Sequence, residues 1–95
     1  MKNKKQNRAI ISVLGKDTVG IIAKVCTYLA GCHVNVLDIS QTIVDEYFTM
    51  MMIVDLESSM KDFDLVQKEL SQIGEEIGVE VKCQREEIFE MMHRI

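Results

Sequence analysis

The chain has 95 residues, of which 47% are hydrophobic and 27% charged, and its formal net charge is −4 at pH 7. This length and composition are typical of one globular domain and argue against a two-domain protein. No apolar run reaches the roughly 18 residues of a membrane span, and no apolar signal-peptide core follows the basic start, so we expect a cytoplasmic protein without membrane contact. The odd number of cysteines argues against a disulfide framework and favours reduced thiols.

Positive charge is concentrated at the N-terminus. Four basic residues and no acidic residue lie within residues 1–8, so the rest of the chain is distinctly acidic. Short basic termini with few apolar residues are usually solvated arms. We therefore expect residues 1–8 to form a disordered basic tail, to which we assign no function, and residues 9–95 to form a single domain.

The first strand and first helix are joined by a glycine-bracketed turn. Ala9–Leu14 is a nearly continuous apolar run that ends at Gly15, which predicts a central strand buried on both faces. Apolar residues then recur with the helical spacing i, i+3, i+4, i+7 at Ile22, Val25, Cys26 and Leu29. Either Asp17 or Thr18 is available as the N-cap of this helix, and Gly31 as its left-handed end.

A predicted β-hairpin follows the first helix. Cys32–Val44 reads as a long strand whose apolar alternation changes phase, and a β-bulge near Val36–Asp38 would reconcile the two phases. Asp45–Glu46 is a plausible tight connection to a third strand over Tyr47–Leu56. At least one of the three consecutive methionines at 50–52 must face away from the helices, because side chains alternate along a strand.

The C-terminal third predicts a helix, a strand and a second helix. An apolar stripe begins at Phe63 and predicts a helix of about four turns that ends at Gly74 or Gly78. Val79–Gln84 alternates apolar and polar residues and predicts a half-buried edge strand. A short amphipathic C-terminal helix is predicted by the spacing of Ile88, Met91, Met92 and Ile95.

The order strand, helix, strand, strand, helix, strand predicts an α+β fold of the ferredoxin-like βαββαβ type. Its four-stranded antiparallel sheet would carry two helices on one face, with the short C-terminal helix added. The second face of the sheet would be apolar, and either the C-terminal helix or a second subunit could cover it. Alternatively, the methionines are only adaptable fillers of an ordinary core.

The first strand-to-helix turn, Gly15–Ile22, is the candidate ligand site. The first N–H groups of a helix have no internal partners and carry partial positive charge, so a carboxylate or phosphate can bind there, and Gly20 would let it approach the backbone. The second strand-to-helix connection, Asp55–Asp62, has no glycine and is rich in acidic residues, so it would repel an anion. Any ligand site is expected in the first loop.

The string GKDTVGI at 15–21, the Val34-Asn35-Val36 start of the second strand and the later string DISQTIVDEYFTMMMIVD together resemble an ACT domain. The resemblance covers about Ala9 to Gln84 and, with the C-terminal helix, extends to small bacterial proteins that consist of one ACT domain. It implies a regulatory module, and it implies that an amino acid binds between two subunits. The implied ligand-binding residues are Asp17, Val19, Gly20, Ile21 and Asn35.

These residues could hold a zwitterion. The amides around Gly20 and Ile21 could bind an α-carboxylate, while Asp17 and the Asn35 amide oxygen could accept from an α-ammonium group. The family often has proline where Val19 stands and a neutral or donor side chain where Asp17 stands. Asp17 is alternatively only a helix N-cap, and Asn35 a bulge or turn residue bonded to its own backbone.

We therefore predict a non-enzymatic ACT-type module, a homodimer that binds a small amino acid or similar anion and signals to a regulatory partner protein. The alternative is a structural dimerisation module without ligand. No catalytic motif or cofactor site is evident, and Lys16 alone does not suggest acyl-phosphate hydrolysis. Cys32, His33, Cys83 and His93 lack metal-ligand spacing, and the acidic body, poor in aromatic residues, argues against direct nucleic-acid binding.

Overall fold

The computed structural model describes residues 7–16 and 20–88. Its elements are, in chain order, β1 (Arg8–Lys16), α1 (Ile21–Gly31), β2 (Asn35–Val44), β3 (Tyr47–Asp55), α2 (Phe63–Ile77) and β4 (Glu80–Arg85). The strands form one antiparallel sheet in the order β2-β3-β1-β4. The predicted fold class is confirmed. No helix among the described residues is both long and apolar enough to cross a membrane.

β1 is the central strand and supplies much of the core. Its alternate residues Ala9, Ile11 and Val13 are fully buried against both helices, opposite fully buried residues of β3. On the other face, Ile10 is buried as predicted, but Leu14 is 48% exposed. The prediction of burial on both faces is therefore wrong at Leu14, which lies opposite the polar residues Thr49 and Glu80.

The three methionines of β3 divide between the two faces of the sheet. Met50 and Met52 are fully buried in the core beneath the helices, whereas Met51 lies on the opposite face and is exposed. The prediction that one methionine faces away from the helices is confirmed. Residues 86–88 are helical, and the rest of the predicted C-terminal helix lies outside the described residues.

β2 is an edge strand with little cover. Its register against β3 shifts between Val36 and Asp38, which confirms the bulge predicted from the change of phase. The connection to β3 is the predicted Asp45–Glu46 turn, in which Asp45 takes a positive φ of 57°. All residues of β2 except the half-buried Val36 are exposed.

The two ends of α1 differ from the prediction. The N-cap is Gly20, in the left-handed conformation, and not Asp17 or Thr18. Gly31 remains within the helix, and the positive φ that follows belongs to His33, at 60°. The helix ends in a Schellman motif, in which the N–H of Val34 bonds to the carbonyl of Leu29 at 3.0 Å and the N–H of His33 to that of Ala30 at 3.1 Å, so His33 takes the left-handed position.

α2 begins and ends with the expected capping chemistry. The carboxylate of Asp62 accepts a hydrogen bond from the N–H of Leu65 at 3.0 Å, which satisfies one free donor of the first turn. Of the two glycines predicted to end the helix, Gly78 does so, with a φ of 77°. Gly74 lies inside the helix and is buried. Glycine is required there because a Cβ would lie 2.7 Å from the carbonyl oxygen of Val79.

A charged cluster ties α1 to α2. The Tyr28 hydroxyl donates to Glu69 Oε1 at 2.7 Å, and Lys61 Nζ donates to the same oxygen at 2.6 Å. The ammonium of Lys61 also lies 5.5 Å from the centre of the Tyr28 ring. The hydrogen bond from Lys61 holds the pKa of Glu69 below its ordinary value, while burial and the bond to Glu69 raise the pKa of Tyr28.

A second ion pair ties the start of β1 to the residues after β4. Arg8, which the sequence suggested as the last residue of the basic tail, is the first residue of β1. Its Nη2 lies 3.2 Å from Oε2 of Glu86, whose side chain is almost fully buried. Removal of one partner would leave the other as an uncompensated charge, which is strongly destabilising when buried.

We expect Glu69→Gln to lower the thermal midpoint at neutral pH, because Tyr28 and Lys61 lose a charged acceptor. The pKa of Glu69 is depressed, so its contribution is complete above the ordinary value of 4.5 and is lost as the pH falls through the lower folded value. Thermal unfolding followed by circular dichroism should show the two proteins converging under acid conditions. Glu76→Gln on the same helix is the control, and a midpoint difference that persists unchanged in acid would contradict the assignment.

Candidate functional site

The start of α1 has the geometry of an anion site. Gly20 has φ 96° and ψ −3°, and the first helical bond runs from the N–H of Lys24 to its carbonyl at 2.9 Å. The N–H groups of Ile21, Ile22 and Ala23 therefore have no acceptor within the helix. The first turn contains no acidic residue, and no side chain caps it within the described residues. Within the described part of the chain these N–H groups have no side-chain acceptor, and such groups at a helix start favour anions.

Gly20 and Ile21, two of the predicted ligand-binding residues, lie at this helix start. A Cβ on Gly20 would meet no atom of the described residues within 4 Å. The side chain of Ile21 is only 2% exposed and packs in the core, so only its backbone could contact a ligand at the helix start. Asp17 and Val19, the other two predicted loop residues, lie outside the described residues.

Asn35 lies far from the helix start of its own chain. It is the first residue of β2 and pairs with Asp55, which in turn pairs with Arg8 at the start of β1. Gly20 follows β1 at the other end, beyond Lys16, so a strand of eight steps, roughly 27 Å, separates the two ends. Within one chain, the structure does not bring Asn35 together with the loop.

The alternative reading of Asn35 as a bulge or turn residue is wrong. The bulge lies after Val36, and Asn35 is a regular member of the β2–β3 ladder. Its exposed side chain makes no hydrogen bond to any described residue, whereas neighbouring Asp55 accepts one from the N–H of Glu57 at 2.9 Å. The Asn35 amide is therefore available at the surface.

Gly15 has a packing role that sequence reasoning missed. A Cβ at this position would lie 2.5 Å from Cγ1 of Val79, so a side chain would collide with the segment that leads into β4. Gly15 itself lies in β1 opposite Phe48 and has no positive φ. The two glycines of the loop motif thus have different functions: Gly15 allows close packing, and Gly20 turns the backbone.

The start of α2 is not equivalent to the start of α1. The carboxylate of Asp62 already accepts from one of its N-terminal donors, the N–H of Leu65, and Asp64 adds a second acid in the first turn. An external anion would be repelled there, in agreement with the acidity of this connection in the sequence. The two halves of the fold share their topology but not this binding chemistry.

The thiols and imidazoles do not form a site within the described part of the chain. Cys26, Cys32 and Cys83 are free, and burial raises the pKa of the Cys83 thiol to about 12. His33 is exposed at the turn before β2, and His93 lies outside the described residues. The residues that the structure describes contain no group of three or more His, Cys, Asp or Glu side chains arranged to hold a metal ion.

The fold and the glycine turn agree with the comparison to known proteins. Residues 7–84 match the family model of the ACT domain. The chain belongs to the ACT domain family. It is 63% identical over 89 residues to the UPF0237 protein of Bifidobacterium longum, covering 94% of this chain and 99% of that protein. The similarity therefore spans nearly the whole of that relative.

Solved structures share the architecture of this ACT domain. An ACT domain protein from Streptococcus pneumoniae matches with a TM-score of 0.76 and 42% identity, covering 87% of this chain and 93% of that one. The regulatory subunit of aspartate kinase from Thermus thermophilus matches with a TM-score of 0.64 and 28% identity, covering 86% of this chain and 53% of that one. The same architecture therefore makes up most of a small ACT domain protein and about half of a regulatory subunit.

The two solvent-facing glycines of α1 should respond in opposite ways to alanine. Gly20→Ala should lower the free energy of unfolding by about 1–2 kcal/mol, because a side chain is strained at positive φ. Gly31→Ala should raise it by roughly 0.5–1 kcal/mol, because its position is helical and open. Urea titration of both variants measures the difference. Equal effects would contradict the left-handed assignment of Gly20.

Proposed function

We propose that this ACT domain is a cytoplasmic, non-enzymatic regulatory module that binds a small amino acid, or a similar anion, between two copies of the chain and signals to a partner protein. One observation carries the proposal: the donor-rich start of α1 and the exposed Asn35 amide lie at opposite ends of a sheet whose β2 edge is bare. The likeness to a regulatory subunit of aspartate kinase supports a regulatory role.

A second copy would complete the site. β2 runs from Asn35 to Val44, and Val44 is level with Tyr47 and Lys16 at the loop end of the sheet. If β2 pairs with its copy in antiparallel fashion about a twofold axis, the Asn35 end of each chain comes beside the loop end of the other. The long separation within one chain then becomes proximity between chains.

The bare surface of β2 supports this pairing. Ile39 and Ile43 are level with core residues of β3, yet they are 40% and 60% exposed. No described side chain or loop backbone forms a hydrogen bond to β2. An exposed strand edge with apolar side chains readily pairs with another strand. Homodimerisation would bury these groups.

The proposed ligand chemistry is that of a zwitterion. The free N–H groups at the start of α1 would bind the α-carboxylate, with Gly20 allowing its close approach. Oxygens of Asn35 and Asp17 would accept hydrogen bonds from the α-ammonium group. Val19, in place of the proline frequent in this family, would leave the loop less ordered before binding and so raise the entropic cost of binding.

The alternative function is dimerisation without ligand. The apolar edge of β2 favours association whether or not the loop binds an amino acid, so the dimer alone does not decide between the two functions. A direct binding measurement separates them.

We expect one amino acid to raise the thermal midpoint selectively. At 100 times its Kd, a ligand stabilises the folded state by about 2.7 kcal/mol, equivalent to roughly 10 °C or more for a domain of this size. Asn35→Ala should abolish most of the shift while the ligand-free midpoint stays unchanged, since its side chain is exposed. Thr42→Ala, also exposed on β2, is the control and should retain the shift. No shift with any amino acid would favour the ligand-free alternative.

We also expect Ile43→Lys to produce a folded monomer. A lysine is tolerated at this exposed position in a single chain but would desolvate a charge in the proposed β2 interface. Light scattering after gel filtration measures the mass of each variant. Leu65→Lys on α2, which also replaces an exposed apolar residue, should remain dimeric. A monomeric native protein would contradict both the dimer and the shared site.

A further inference from the structure

The outer edge of β4 is the second edge of the sheet. In a strand, the N–H and C=O of one residue point to the same side, and successive residues alternate between sides. The N–H of Val79 bonds to α2, and the C=O of Cys83 also bonds to α2, so both point away from β1. The groups of Val81 and Arg85 must therefore point outwards as well.

Two backbone groups along this edge are already occupied by α2. The N–H of Val79 donates to the carbonyl of Gly74 at 2.9 Å. The side-chain amide of Gln67 reaches across to the strand, and its Nε2 donates to the carbonyl of Cys83 at 2.6 Å. A strand that paired with β4 would have to displace the Gln67 bond in order to reach this carbonyl.

The space that such a strand would enter is an open, polar groove. The groove has a volume of about 630 Å³ and lies between α2 and β4. Gln67 crosses it, and Gln72 contributes to the same wall without a bond to the strand among the described contacts. At the end of β4, the guanidinium of Arg85 lies over the Phe63 ring, 4.4 Å from its centre. Bonds to α2 thus occupy the N–H of Val79 and the C=O of Cys83, whereas the outward groups of Val81 have no partner among the described contacts.

We propose that Gln67 closes the β4 edge to a second copy of this chain. A protein with two open edges, each pairing about its own twofold axis, can add a further copy at either end of the sheet and so grow beyond a dimer. Occupation of the Cys83 carbonyl by Gln67 leaves β2 as the free edge. This role does not depend on whether the loop binds a ligand.

Charge defines how two copies would pair if the edge were open. A twofold axis at Val81 matches its outward backbone groups with those of the same residue in the second copy. It also sets the exposed Glu80 opposite Lys82 of the partner subunit, and opposite charges across paired strands are favourable. If the edge were open, two copies would therefore pair in one register, with Val81 opposite Val81.

Gln67→Leu tests whether the Gln67 hydrogen bond closes the edge, because leucine has similar bulk but cannot donate to the carbonyl of Cys83. Sedimentation velocity over a range of protein concentrations should show the native protein at one limiting size and the variant forming larger species. The association constant at β4 should rise on the order of thirtyfold, the factor expected for two hydrogen bonds, one in each copy, that no longer have to be broken. Gln67→Ala should behave in the same way, and Gln72→Leu should behave as the native protein.

Two double variants locate the new contact. Lys82→Glu added to Gln67→Leu should restore the native size, because Glu80 would then face Glu at position 82 of the partner subunit. Gln67→Leu added to Ile43→Lys should still associate, since β4 is intact. The proposal is overturned if folded Gln67→Leu, verified by circular dichroism, keeps the native size at every concentration. It is also overturned if its association survives Lys82→Glu but is lost with Ile43→Lys.

Discussion

The continuous ladder between β1 and β3 is the constraint on which the rest of the structure depends. It runs from Arg8 opposite Asp55 to Lys16 opposite Tyr47 without a shift. Because side chains alternate, this single register buries the apolar face beneath both helices. The same register fixes the length of the sheet, and with it the separation between the helix start and Asn35. The β1–β3 register therefore determines both the buried core and the position of the candidate site.

Much of this arrangement could be predicted from the sequence. Apolar periodicity was sufficient for the order of the elements, and the change of phase in β2 was sufficient for the bulge, because both depend on local alternation. The caps of α1 were predicted wrongly, since a polar side chain near a helix start suggests a cap even where the backbone of Gly20 makes the turn. The predicted burial of Leu14 was wrong, because burial of a sheet face depends on which element covers that face.

Other features depend on contacts between residues distant in sequence. Nothing in the local sequence indicates that Gln67 bonds to the carbonyl of Cys83, or that Tyr28 and Lys61 share Glu69. The two sheet edges illustrate the same point. β4 alternates more clearly than β2, yet β4 has α2 bonded along its edge while β2 is bare among the described contacts. Edge protection is a property of the neighbouring helix and cannot be deduced from the strand alone.

The close approach at Gly15 has an evolutionary consequence. Val79 fills the space that a side chain on Gly15 would need, because its Cγ1 would lie 2.5 Å from a Cβ there. The obstacle at Gly74 is different: a Cβ would lie 2.7 Å from the backbone carbonyl oxygen of Val79 and 2.8 Å from Cγ2 of Val81. Among homologues, a larger residue at Gly15 should therefore be accompanied by a smaller one at the position of Val79. Gly74 should stay glycine whatever residue stands at position 79, because no change of that side chain removes the carbonyl.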